Sequence, residues 1–172
     1  MPLVIIPDRG KSHHIGENKI KAVALHHSLT TDGVTLTKDD ITVDHMGLVP
    51  WSRWLAHPMD LDGYHAYCEL VDRYYEIIVG RPETWVGGHC PQGDMNDKSF
   101  GLCFIGNFDL APPPDLQLLV AIRRIIVPVM YRYDLSIDAV KGHAYYANDG
   151  RTCPGKLFPW DRFYGMIEEE IG

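Results

Sequence analysis

Apolar residues alternate with, or replace, polar ones in short stretches along this chain, and each period predicts an element. Lys21 to His27 is a nearly continuous apolar run ending in two histidines, the pattern of a strand buried on both faces. Tyr64 to Leu70 and Tyr74 to Val79 are aromatic and β-branched, and the intervening Val71-Asp72-Arg73 predicts a hairpin. Ser99 to Ile105 reads as a further strand stopped by Gly106-Asn107. Leu119, Ile122, Ile126 and Met130 recur at helical spacing, predicting a helix from Leu116 to Tyr133 with a kink or early end at Pro128. Ile137 to Lys141 suggests a short strand running into Gly142-His143, and Phe158-Pro159-Trp160 opens a last helix with Phe163 and Ile167 inside.

Two other stretches are less regular. Thr37 with Asp40 resembles a capping box, starting a helix that Gly47 ends. Val49 to Asp62 and Arg81 to Asp97 read as loops, the second rich in Gly and Pro. Strands and helices alternate with a hairpin included. The expected fold is therefore α/β, a central mixed sheet with helices on both faces. At 172 residues the chain suits one domain, spanning 1–172 with its core over about 20–170.

Composition narrows the function classes. A net charge of −7 argues against nucleic acid, because phosphate contacts need surplus Lys and Arg. Leu116 to Tyr133, the longest apolar-rich run, holds Arg123, Arg124 and Arg132, so no membrane span is expected there. The N-terminus lacks a positive flank with a long apolar core, which implies a cytoplasmic protein. Cys68 and Cys103 read as small core hydrophobes, whereas Cys153 lies in a polar loop and needs another explanation.

His26 and His143 each close a strand-like run, and Cys153 sits in the rigid turn Gly150-Arg151-Thr152-Cys153-Pro154-Gly155. Two His and one Cys form a ligand set for catalytic zinc with a fourth position for water. Most of the nine histidines have blander readings; His13, His14, His45 and His57 lack any partner pattern, and His65 suits a buried hydrogen bond. Trp51, Trp54 and Trp85 suit core packing or sugar stacking equally.

Four ordered blocks sharpen this picture. They are Val23-Ala24-Leu25-His26-His27-Ser28; Gly63-Tyr64-His65-Ala66-Tyr67; His89 through Asn96 with Ser99 to Phe108; and Gly142-His143 through Thr152-Cys153-Pro154-Gly155. Together they resemble the zinc-dependent N-acetylmuramoyl-L-alanine amidases, a family that includes phage lysozyme-type amidases, cytoplasmic recycling amidases and peptidoglycan recognition proteins. The resemblance implies a Zn2+ site of His26, His143 and Cys153, with His27 facing away because strand neighbours alternate. It implies catalytic roles for Tyr64 beside the metal and for Arg151, where the family often carries Lys. It also places His89 in the substrate groove, with Asn96 either holding the loop or touching substrate. The partner it implies is peptidoglycan or a muropeptide, cut between N-acetylmuramic acid and L-alanine by a monomer. A phage or prophage endolysin, waiting in the cytoplasm until lysis, is the first expectation. A recycling amidase and a non-catalytic peptidoglycan-binding module are the rivals.

Overall fold

The computed structural model describes residues 20–29, 68–71, 74–79, 83–84 and 86–172. Tyr64, His65, Trp51, Trp54, Trp85, the four unpatterned histidines, the helix expected after Thr37 and the loop from Val49 to Asp62 lie outside the described residues. Among the described residues five strands form one sheet: β1 (Ala22–His27), β2 (Glu69–Val71), β3 (Ile77–Val79), β4 (Ser99–Phe104) and β5 (Val140–Gly142). Their spatial order is β3-β2-β4-β1-β5. β1 pairs in parallel with β4 and β5, β2 pairs in parallel with β4, and only β2 and β3 are antiparallel. The sheet is mixed, as the sequence implies.

β1 lies between two parallel neighbours, and all six of its residues are buried. That is why it reads as an apolar run rather than an alternating one. The helices are α1 (Met95–Lys98), α2 (Asp115–Ala121), α3 (Val127–Tyr133), α4 (His143–Ala147) and α5 (Trp160–Ile171). Leu118, Ile122, Ile125, Ile126 and Met130, with Phe163 and Ile167 of α5, pack on the face formed by Val23, Leu25, Phe100, Leu102 and Phe104. Among the described residues the 86–98 segment with α1, and α4, lie on the opposite face; Ala22, Cys90 and Met95 pack there with Tyr146.

Several expectations need correction. β2 and β3 pair from Val71 and Ile77, so residues 72–76 connect them rather than a turn at 71–73. The strand expected at 137–141 starts later: Ile137–Ala139 is a 3-10 turn and only Val140–Gly142 pairs. Arg81 to Asp97 is not loop throughout, since Gln92–Asp94 forms a 3-10 turn leading into α1.

The long helix neither ends at Pro128 nor keeps one period. Between α2 and α3, Ile122–Ile126 is π-helical, and the Val127 N–H bonds the Ile122 carbonyl. A wider turn just before a proline makes room for the ring against the preceding carbonyls, at a point where the ring has already broken the i→i−4 ladder. Leu118, fully buried, takes the inward place expected of Leu119, which is half-buried. Among the described residues no helix is long and apolar enough to cross a membrane.

Candidate metal centre

Alternation along β1 separates its two histidines. His27 shares the helix-covered face with Val23 and Leu25, and its Nδ1 accepts the Phe108 backbone N–H at 3.1 Å. His26 shares the other face with Ala22 and Ala24 and is 1% exposed. β5 ends at Gly142, so His143 opens α4 on the same side, its ring centroid 4.6 Å from that of His26. Cys153 reaches the pair from the following loop, with Sγ 3.7 Å from His26 Nδ1. One ligand atom from each of His26, His143 and Cys153 lies within 4.8 Å of the others.

That loop is pinned from several directions. Its Cys153 carbonyl accepts the Ala144 N–H at 2.8 Å, tying it to α4. Asp109 accepts from the Thr152 hydroxyl and the Lys156 N–H, both at 2.9 Å, and these bonds hold its carboxyl below the usual range. His27, through Phe108, and Asp109 therefore anchor the segment that presents the thiol. Neither role is legible in the sequence, because the partners lie 81 and 43 positions away.

A second segment supplies His89. Asn96 Oδ1 accepts the His89 and Cys90 N–H groups at 2.9 and 2.7 Å, and Ser99 Oγ donates to the Met95 carbonyl at 2.6 Å. Asn96 thus holds the backbone of the loop that carries His89. The His89 ring, expected in a substrate groove, is 4% exposed, and its Nδ1 lies 3.0 Å from His26 Nε2. It rests over Gly101, where an added Cβ would meet ring atoms at 2.6 to 2.8 Å.

Arg151 sits beside the centre. Its Nε donates to both carboxylate oxygens of Asp149 at 2.8 and 2.9 Å, and a further guanidinium nitrogen bonds Asp149 Oδ2. The remaining nitrogen, NH1, lies 2.8 Å from His143 Nε2. Asp149 carries no motif signal. Gln92 is a third residue the sequence does not single out, with Oε1 3.4 Å from His143 Nε2.

The electrostatics of the candidate ligands differ. Burial, reinforced by the Arg151 charge, lowers the His143 pKa to about 4, so this imidazole is neutral near pH 7. Burial raises the Cys153 thiol to about 12, although the His27 backbone N–H and Arg151 pull the other way. Cys153 is therefore a protonated thiol at neutral pH until a cation displaces the proton.

The spacing between Cys153 and His26 fits zinc. With bonds of about 2.3 Å to sulfur and about 2.0 Å to nitrogen, a tetrahedral ion separates the two ligand atoms by about 3.5 Å. The observed sulfur–nitrogen distance is 3.7 Å.

A family model described as N-acetylmuramoyl-L-alanine amidase matches residues 16–156. The 1,6-anhydro-N-acetylmuramyl-L-alanine amidase AmpD of Enterobacter cloacae is 31% identical over 124 residues, 65% of this chain and 64% of that relative. The match thus spans less than two thirds of the relative's length. Among solved structures, the N-acetylmuramoyl-L-alanine amidase LysC from Clostridium intestinale is 22% identical, with a TM-score of 0.65 covering 88% of each chain. Bumblebee PGRP-SA is 23% identical, with a TM-score of 0.63 covering 87% of this chain and 83% of its own. Both structures share the fold.

Proposed function

Because the chain belongs to the N-acetylmuramoyl-L-alanine amidase family, we propose that it is a zinc hydrolase of the amide joining the lactyl group of N-acetylmuramic acid to L-alanine. The observation that carries this reading is the convergence of His26, His143 and Cys153, 127 residues apart at the extremes, onto one point. Zinc held there supplies a Lewis acid for the scissile carbonyl and a water whose pKa falls towards ~7.

The protein's own groups do the rest. His26 offers Nδ1, the nitrogen facing Cys153, while Nε2 faces His89 and fixes the ring. Arg151 brings a permanent positive charge to the centre, and Asp149 holds the guanidinium by one edge so that NH1 points inward. We assign Arg151 to stabilising the oxygen that becomes negative as the carbonyl is attacked. Tyr64 is the proposed second donor, on the strength of the family motif at Gly63-Tyr64-His65.

A second reading concerns substrate size. The expectation of an endolysin implies polymeric wall as the substrate. The name of the Enterobacter cloacae relative instead favours soluble 1,6-anhydromuropeptides and a recycling role. The test is product analysis by mass spectrometry after incubation with purified wall and, separately, with soluble 1,6-anhydromuropeptide. Free stem peptide that disappears with a chelator and returns with zinc supports the amidase. Release indifferent to the chelator refutes the metal reading, and binding without release supports the non-catalytic module. Which substrate is cut faster decides between lysis and recycling.

A further inference from the structure

The 86–98 segment touches both imidazoles. His89 lies against His26 Nε2, and three residues later Gln92 lies against His143 Nε2. In each ring the metal-facing work is left to Nδ1: for His26 this is the nitrogen 3.7 Å from Cys153, and for His143 it is the nitrogen that neither Arg151 nor Gln92 contacts.

Two groups compete for His143 Nε2, and their chemistries are opposed. Arg151 NH1, at 2.8 Å, can only donate, so the nitrogen must offer it a lone pair. Gln92 Oε1, at 3.4 Å, can only accept, so it needs a proton there. An imidazole that coordinates through Nδ1 keeps its proton on Nε2 and usually donates it to a carbonyl or carboxylate. A guanidinium facing that N–H would set donor against donor beside a dication. The amide is already turned the right way: the Cys90 thiol, which burial keeps protonated, lies 3.7 Å from the same Oε1.

Resting on the zinc reading above, we propose that Gln92 is a positioning residue for the metal ligand His143. It accepts the Nε2 proton when Nδ1 coordinates, and Arg151 gives up that nitrogen and is released towards the substrate. Arg151 would then be held back by the metal-free centre and freed by the loaded one. The 3-10 turn at Gln92–Asp94 is what places the amide there.

The test is zinc affinity, measured by competition with a chromogenic chelator. Gln92→Leu, similar in size but without an acceptor, should bind zinc about 10- to 100-fold more weakly. Gln92→Glu, which restores an acceptor, should bind at least as tightly as the parent. Equal affinity in the Leu variant, or equal loss in both variants, overturns the proposal. Long-range proton–nitrogen spectra give a second readout: His143 should carry its proton on Nε2 in the zinc-loaded protein, and zinc at Nε2 would refute the assignment. A parent that takes up no zinc sinks the metal reading itself, a result distinct from either.

Discussion

Gly101→Ala tests the packing beneath the candidate metal centre. In a strand this exchange normally gains about 0.5–1 kcal/mol, because alanine has less freedom to lose on folding. Here the added Cβ would stand 2.6 Å from His89 Cδ2, 2.7 Å from Nε2 and 2.8 Å from Cγ. Carbon atoms in contact prefer about 3.5–4.0 Å, so the overlap is near ~1 Å. The ring cannot step aside easily. It is 4% exposed, and atoms of the same ring would meet a Cβ at Gly87 at 2.5 and 2.8 Å. Overpacking of this kind costs about 1–3 kcal/mol, and loosening the His26–His89 contact adds about 1 kcal/mol. The clash exceeds the entropic gain, and the expected net loss is about 1–3 kcal/mol. Urea unfolding followed by circular dichroism should show a lower midpoint with an unchanged slope. Gly165→Ala, in α5 with nothing within 4 Å of the new Cβ, is the control and should gain about 0.5–1 kcal/mol. A Gly101→Ala protein as stable as the parent would mean that His89 does not lie over the sheet, and the account of His26 would fall with it.

The two neighbouring histidines should separate cleanly. His26→Ala should abolish zinc uptake measured by atomic absorption, whereas His27→Ala should keep one zinc and lose about 1–3 kcal/mol of stability as the buried Phe108 N–H loses its acceptor. At about pH 6, below the ~7 at which a zinc-held water would ionise, zinc uptake should expel one proton, from Cys153 at about 12, because His143 at about 4 is already neutral. Affinity should therefore rise roughly tenfold, about 1.4 kcal/mol, per pH unit at about pH 6, and more steeply once the pH passes ~7. Calorimetry in buffers of different ionisation heat counts the proton, and a count of zero refutes the raised thiol pKa. Arg151→Ala should lower turnover by about 10²- to 10³-fold, ~3 kcal/mol, with zinc content intact. Unchanged turnover removes Arg151 from the chemistry.

Elements whose signal is local can be read from the chain alone. β1 was legible because six consecutive buried positions demand an apolar run, and the helix at 116–133 because its stripe spans several turns. The convergence of His26, His143 and Cys153 and the family were legible because ordered blocks carry residue types that zinc chemistry would require. The tertiary structure decided everything that depends on strand order and on contacts between distant segments. Pairing β1 with β4 sets Gly101 beside Ala24, two positions before His26 and Cys103, and the missing Cβ of Gly101 leaves the room that the His89 ring fills. Asp109, Gln92 and Asp149 act through partners whose identity no periodicity encodes. The shift from Leu119 to Leu118 and the π-turn before Pro128 were settled by packing against the sheet. A repeating side-chain pattern records which face of an element is dry, but not which element will cover it, because that choice belongs to the assembled core.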